Sequence, residues 1–94
     1  MTPEGKVKEL VKIACADHGA YRFMPVQNGM GMPSVDFLIC HKGRFIGVET
    51  KAPGKKPTQR QELTMQDMRD AGAMTFVIDG EESLKQLVEY FQEG

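Results

Sequence analysis

Residues 35–51, with the sequence VDFLICHKGRFIGVETK, decide the fold. Two nearly continuous apolar runs, residues 35–40 and 44–50, are typical of strands that are buried on both faces of a sheet. Lys42-Gly43 lies between the runs and predicts a hairpin. A two-residue turn here pairs residues whose numbers sum to 85. A bulged turn would shift this register by one residue, because lysine at the first turn position needs a positive φ.

The register places Asp36 directly opposite Glu49 on one face of the sheet, with Cβ atoms about 4.5–5.5 Å apart. Lys51 shares that face because side chains alternate along a strand. Two carboxylates at this distance repel one another unless a cation lies between them. Oxygen ligands of this kind favour Mg²⁺ or Mn²⁺. The sequence therefore predicts a divalent-cation site. The alternative is an Asp36 that backbone donors satisfy, with a Glu49–Lys51 ion pair at a solvated strand end.

The remaining segments predict an α/β domain, in which helices flank a mixed sheet in the order α-β-β-β-α-β-α. Ninety-four residues are enough for one domain, which we place at residues 1–94. Apolar spacing and capping residues predict the other elements. These are helices at residues 3–18, from the Thr58 cap to about Ala71, and at 81–92, and strands at residues 21–24 and 74–78.

Two further polar residues, Glu4 and Gln61, occupy the first turns of the first and second predicted helices. Glu4 lies on the same helical stripe as Val7 and Val11, and Gln61 lies on the stripe of Met65. A helix N-terminus also offers free N–H groups to a phosphate. We therefore expect Glu4 and Gln61 to converge with the two strand carboxylates on one site.

The distribution of charge favours a nucleic-acid partner, although the formal net charge is only −1. Residues 42–60 contain six basic residues and one acidic residue, whereas residues 79–94 contain five acidic residues and one lysine. A local basic patch attracts a phosphate backbone. A solvated basic loop is the alternative. The residues predicted to contact DNA are Lys55, Lys56, Arg60 and Arg44.

Several classes of protein and of site are disfavoured. No apolar stretch approaches the ~20 residues of a membrane-spanning helix, and the N-terminus has no apolar signal core. Two cysteines do not make a disulfide framework, which fits a reducing, cytoplasmic location. A zinc site built from Cys15-x-x-His18 and Cys40-His41 is an alternative, but free cysteine more often packs as a small core residue.

At this point the sequence resembles a known family. Asp36 followed by Glu49-Thr50-Lys51 resembles the D…ExK signature of the PD-(D/E)xK nuclease superfamily. A wider pattern resembles the stand-alone phage and bacterial VRR-NUC domain, the virus-type replication–repair nuclease module. It comprises Glu4, residues 31–38 and 43–55, Thr58-Gln59-Arg60-Gln61 and Ala71-Gly72-Ala73, so that the resemblance covers residues 4 to about 78. One departure is Val35, which stands where the family has a proline immediately before the aspartate.

The resemblance implies a restriction-endonuclease-like core and a metal-dependent phosphodiesterase that acts on DNA. Asp36 and Glu49 would bind Mg²⁺ or Mn²⁺ together with the Thr50 carbonyl. Lys51 would orient the attacking water or stabilise charge on the phosphoryl group. Neither a small-molecule cofactor nor a membrane is expected.

Other positions and the partners follow from the same resemblance. Glu4 matches a helix glutamate that supports the site or binds a second metal, and Gln61 matches a helix glutamine beside it. Stand-alone members resemble Holliday-junction resolvases, which implies a homodimer acting on four-way junctions in DNA repair or recombination, in a bacterial or phage-infected cell. Met24, Met30, Met32 or the apolar edge of the last helix are candidates for the dimer contact. The alternatives are a nuclease that nicks flaps or other branched DNA, and a catalytically silent DNA-binding module.

Overall fold

A mixed four-stranded sheet flanked by helices forms the protein in the computed structural model, which describes residues 1–26 and 32–94. The strands lie in the order β1-β2-β3-β4; β1, β2 and β3 are antiparallel neighbours, and β4 runs parallel to β3. The predicted order is therefore confirmed. Its elements are α1 (Pro3–Asp17), β1 (Tyr21–Phe23), β2 (Phe37–His41), β3 (Arg44–Thr50), α2 (Gln59–Asp70), β4 (Met74–Ile78) and α3 (Glu81–Glu93).

The β2–β3 hairpin has the predicted two-residue turn. Lys42 has a φ of 50° and Gly43 a φ of 78°. Two consecutive positive φ values are those of a type I′ turn, whose twist matches that of the flanking strands. The pairs Phe37↔Val48 and His41↔Arg44 confirm the predicted register.

One face of the sheet carries the main core, because α1 and α3 both pack on it. Apolar side chains at helical spacing on α1 and α3 meet alternate side chains of the strands. The buried members of this cluster are Val7, Val11, Ala14, Cys15, Phe37, Ile39, Ile46, Val48, Ile78, Leu87 and Phe91. Within the described parts of the chain, we find no helix with the length and apolar character needed to cross a membrane.

The prediction that both hairpin strands are buried on both faces is wrong for β2. Ile39 is buried in β2, but its neighbours are half-buried (Leu38) or exposed (Cys40). The reason is the position of α2, which packs on the outer face at β3 and β4, where Met68 approaches Gly47. The last five residues of β3 are buried on both faces, as predicted. The outer face of β2 lies to the side of α2, so its side chains stay partly or fully exposed.

We expect the turn to tolerate asparagine at position 42 better than lysine. A left-handed conformation costs a non-glycine residue about 1–2 kcal/mol, and asparagine is favoured at this turn position. Lys42→Asn should raise the free energy of unfolding by about 0.5–1 kcal/mol, or about 3–6 °C in Tm. The β-branched control Lys42→Val should lower it. Melting temperatures are measured by circular dichroism. Equal values for the two variants would contradict this account of the turn.

Candidate functional site

The carboxyl group of Asp36 lies against the last residue of β3. Its Oδ2 accepts hydrogen bonds from the backbone N–H of Thr50 at 2.9 Å and from the Thr50 hydroxyl at 2.8 Å. The side chain of Asp36 thus provides an acceptor for this N–H. Both bonds end on Oδ2, and Oδ1 takes part in neither. The aspartate is thus held against the end of β3 through Oδ2.

Glu49 is 2% exposed and shares its surroundings with Asp36. Burial, and next the adjoining Asp36 carboxyl, raise the pKa of Glu49 to about 8. Burial also acts to raise the pKa of Asp36, but the hydrogen bond shared with Glu49 and the two bonds from Thr50 outweigh it and lower that pKa. The two carboxyls therefore hold one proton between them at neutral pH, with Glu49 neutral and Asp36 charged.

The predicted alternative for this pair is only half right. Thr50 does supply Asp36 with a backbone donor, but the end of β3 is buried rather than solvated. Among the described residues, no ion pair joins Glu49 to Lys51 within 4 Å. Lys51 is half-buried, its backbone N–H donates to the Ile78 carbonyl at 2.9 Å, and its charge acts to lower the pKa of Glu49. The lysine thus lies beside the carboxyl pair without neutralising it.

The first turns of α1 contribute two charged side chains. Glu4 is half-buried, and Lys8 Nζ donates to its Oε2 at 3.2 Å. The charge of Glu4 acts, as the smallest of the named influences, to raise the pKa of Glu49, whereas Lys8 acts to lower that of Asp36. The charge of Glu4 therefore reaches the pair, and its role in the site stays a prediction. Lys8 is a residue that our sequence reasoning missed, although its spacing of four residues from Glu4 places both on one helical face.

Gln61 has a local partner at the start of α2. Its Oε1 accepts from the Thr58 N–H at 2.9 Å, and the Thr58 hydroxyl accepts from the Gln61 N–H at 3.2 Å. These reciprocal bonds form a capping box, which satisfies two of the free N–H groups at the helix start. In the parts of the chain that the structure describes, Gln61 has no hydrogen bond to the carboxyl pair, and its place in the site stays a prediction.

The predicted DNA-contact residues fall into two groups. Lys55, Lys56 and Arg60 are exposed, on the loop after β3 and the first turn of α2. Arg44 is instead at the other end of β3, about 20 Å from Thr50 at the rise of a strand. Its guanidinium lies 3.8 Å from the ring centroid of Tyr90, and its Nη2 donates to the Tyr90 carbonyl at 2.7 Å. Arg44 thus joins the hairpin to α3, and its contact with DNA stays a prediction.

Comparison of the structure with known proteins identifies its fold. Neither a protein-family model nor a curated protein matches the sequence. A solved structure described as a VRR_NUC domain matches with a TM-score of 0.81 and 24% sequence identity, over 95% of this chain and 97% of that chain. The chain has the VRR-NUC fold. The match extends to nearly all of the sequence, including the α3 segment beyond residue 78.

Within this VRR-NUC fold, the donor set suits a hard cation. In the described residues, no three His, Cys, Asp or Glu side chains come together as a metal cluster. A cation would therefore rest on the pair formed by Asp36 and Glu49, and one or two carboxylates are the usual protein contribution to a Mg²⁺ site. Two carboxyls in contact, one of them buried, keep a shared proton when no cation takes its place. The residues present fit Mg²⁺ or Mn²⁺.

The zinc alternative does not agree with the positions of the cysteines. Cys15 is fully buried on the core side of the sheet, and burial raises the pKa of its thiol to about 11. Cys40 is exposed and lies on the outer face, because it alternates with the buried Ile39 and His41. The two thiols are thus separated by the sheet.

The pKa of Glu49 makes a prediction for the metal-free protein. In the unfolded chain a glutamate ionises near its ordinary value of 4.5, whereas folded Glu49 keeps its proton to about pH 8. A raised pKa in the folded state means stability that is fully present below pH 4.5 and is lost as the pH rises towards 8. The melting temperature of the wild type in EDTA should therefore decrease as the pH is raised from 5 to 9. Glu49→Gln should remove most of this decrease.

Glu89→Gln is the matched control, because Glu89 is an exposed glutamate on α3. Its melting temperature should follow the wild-type pH profile. Parallel profiles for the wild type and Glu49→Gln would show that Glu49 does not carry the raised pKa.

Proposed function

We propose that this protein is a metal-dependent DNA endonuclease that hydrolyses phosphodiester bonds. The observation that carries the proposal is the pair of a half-buried Asp36 and a buried Glu49 with Lys51 beside it, at the end of β3 in a VRR-NUC fold. The solved structure with this fold is described as a VRR_NUC domain, which supports a nuclease-type activity. Intact acidic and basic side chains at this place argue against a catalytically silent module.

Three groups at the end of β3 would hold Mg²⁺ or Mn²⁺. Asp36 would use the oxygen that Thr50 does not bind, and Glu49 would give up its proton. The N–H and the carbonyl of one strand residue point to the same side of the strand. Since the Thr50 N–H points to Asp36, the Thr50 carbonyl leaves the strand on that side too. When bound, the cation would lower the pKa of a water and offset charge that develops on the phosphate.

Lys51 and the α1 residues would complete the reaction centre. The Ile78 carbonyl fixes the backbone of Lys51, so the lysine side chain leaves the backbone at a defined point. Its charge acts on the neighbouring Glu49. There it would orient the attacking water or stabilise negative charge on the phosphoryl oxygens, an effect that positioned donors provide. Glu4, tied to Lys8, would support the site or bind a second cation. Gln61 would contribute from the start of α2.

The substrate we propose is branched DNA. Lys55, Lys56 and Arg60 are exposed on the loop and helix start that follow Lys51 in the chain, which suits contacts with phosphates next to the cleaved bond. The first choice is a four-way junction, which would make the protein a Holliday-junction resolvase. The second choice is a flap or other branched substrate that is nicked on one strand.

A resolvase needs two cuts, so we propose that the protein works as a homodimer. Tyr21, Phe23 and Phe45 are 72%, 55% and 50% exposed, and the strand register places all three on the outer face together with Leu38 and Cys40. We call these five uncharged side chains the aromatic face. An exposed apolar patch of this kind suits a second copy of the same patch rather than a phosphate backbone.

The exposed area is of the right order for a dimer. The three rings offer about 350 Å² per protomer, against about 500 Å² per protomer for a stable interface. Met32 adds to this area, since it is 90% exposed and lines a groove of about 550 Å³ next to Phe45. Of the other candidates, Met24 packs against the core, the apolar edge of α3 is buried on its own sheet, and Met30 lies outside the described residues.

Removal of either carboxyl should abolish cleavage. Asp36→Asn and Glu49→Gln should each lower the single-turnover rate on a four-way junction by at least ~10²–10³, the effect of losing one electrostatic contributor. EDTA should abolish cleavage by the wild type, and Glu89→Gln should cleave normally. Near-normal turnover by either carboxyl variant would refute the assignment.

The same assay separates the candidate functions. Symmetric paired nicks in the junction would support a resolvase. Cleavage confined to single nicks on flaps would support the second choice, and binding of DNA by the folded wild type without any cleavage would support the silent module. Each variant is checked by its melting curve, so that a loss of activity is not confused with a loss of fold.

The dimer should depend on the aromatic face. Wild-type protein should scatter light as about twice the 10.5 kDa chain at micromolar concentration, and Phe23→Glu or Phe45→Glu should halve that mass. Ile13→Glu is the matched control, since Ile13 is 56% exposed on α1 and lies away from this face. Cys40 is an independent reporter because Cys15 is buried: its reaction with a thiol reagent should slow as protein concentration rises. A dimer that survives both phenylalanine variants would place the interface elsewhere.

A further inference from the structure

A chain of hydrogen bonds ties the loop after β3 to the first turn of α3. The Gly54 N–H donates to Asp79 Oδ2 at 3.2 Å, and the Ser83 hydroxyl donates to Asp79 Oδ1 at 2.9 Å. The Asp79 N–H in turn donates to the Ser83 hydroxyl oxygen at 3.0 Å. One carboxylate oxygen is thus used by the loop and the other by α3. We call this set of Gly54, Asp79 and Ser83 the Asp79 anchor.

The anchored loop carries the first basic residues that follow the carboxyl pair in the chain. Its first residue, Lys51, has a separate attachment through the Ile78 carbonyl at 2.9 Å. Gly54 has a φ of 81°, which favours glycine, and the Lys55 N–H closes the turn on the Ala52 carbonyl at 3.0 Å. Lys55 and Lys56 follow the anchored residue directly, so the position of both lysines depends on where Gly54 is held.

The charge of Asp79 is opposite to what a DNA-binding surface favours. Hydrogen bonds from Ser83 and Gly54 lower the pKa of Asp79, and the nearby charge of Lys56 acts in the same direction, so that the group is ionised at neutral pH. A carboxylate beside two lysines weakens their attraction for phosphate. If charge alone mattered, removing Asp79 would tighten the binding of DNA.

We propose that Asp79 is a positioning residue of the DNA-binding loop, which accepts the Gly54 N–H to hold Lys55 and Lys56 where they contact phosphates. The proposal rests on the proposed nuclease function. It predicts that loss of the hydrogen bond weakens DNA binding even though a negative charge is removed with it. A fixed loop binds more tightly than a mobile one because less freedom is lost on binding.

Three substitutions, each of which removes one negative charge, distinguish the effect of loop position on DNA binding from the effect of charge. Asp79→Ala removes the charge and the acceptor, and Asp79→Asn removes the charge but keeps an acceptor for Gly54 and a polar group for Ser83. Glu81→Ala removes an exposed charge in the same first turn of α3. Binding is measured by fluorescence anisotropy on a four-way junction, in EDTA, over a series of salt concentrations.

We expect Asp79→Ala to raise Kd by about threefold to tenfold and to lower the salt slope by about 0.9 for each phosphate that the loop no longer reaches. Asp79→Asn and Glu81→Ala should bind within about twofold of the wild type or more tightly. In cleavage assays with Mg²⁺, Asp79→Ala should raise KM with kcat within about twofold, because the separate attachment of Lys51 to Ile78 is untouched. Binding by Asp79→Ala that is as tight as that of Glu81→Ala would overturn the proposal, and so would equal weakening by Asp79→Asn.

A readout without DNA distinguishes failure of the anchor from failure of the proposed function. Trypsin should cleave after Lys55 faster in folded Asp79→Ala than in Asp79→Asn or Glu81→Ala. Should Asp79→Ala fail to fold, Ser83→Ala takes its place, because it frees one side of the carboxylate and keeps the charge. Equal trypsin rates in all folded variants would overturn the anchor itself, whereas a wild type that neither binds nor cleaves DNA would overturn the function on which it rests.

Discussion

The register of the β2–β3 hairpin is the constraint on which the candidate site depends. Side chains alternate between the two faces of a strand, so a slip of one residue would remove Glu49 from Asp36 and would also turn Ile46 and Val48 away from the core. The left-handed turn excludes that slip by fixing the two-residue connection. The same register is therefore required by the stability of the core and by the approach of the two carboxyls.

The end of β3 combines burial with negative charge, which gives the site its chemical character. Glu49 is buried because β3 is covered on both faces over its last five residues, and Asp36 is fixed by Thr50 against it. Both carboxyls are therefore held close together. A proton stabilises the pair, and the divalent ion that we propose would replace this proton and meet oxygens already in position. Such preorganisation avoids the reorganisation that a flexible pair of side chains would need.

Structural features that depend on residues close together in the sequence were predictable. Features that depend on contacts between distant segments were not. Helical spacing gave the helices, and the Lys42-Gly43 dipeptide gave the pairing of Asp36 with Glu49. The one-sided burial of β2 depends on where α2 crosses the sheet, which spacing does not determine. Arg44 belongs to the basic segment in sequence, yet the length of β3 separates it from the lysines of the loop. The bond between Gly54 and Asp79 spans 25 residues and has no local signature.

The parallel pairing of β3 with β4 explains why the carboxyl pair and the basic loop occur at the same place. Thr50 pairs with Ile78 at the carboxyl ends of both strands, so the residues that follow each strand leave the sheet at one edge. Lys51 then bonds to the Ile78 carbonyl, and Gly54 reaches Asp79, the next residue after β4. An antiparallel β4 would have brought the beginning of that strand to this edge instead, and Asp79 would lie at the far end. One strand direction thus places the groups proposed to bind the cation beside the loop proposed to bind DNA, and lets a single carboxylate after β4 control the position of that loop.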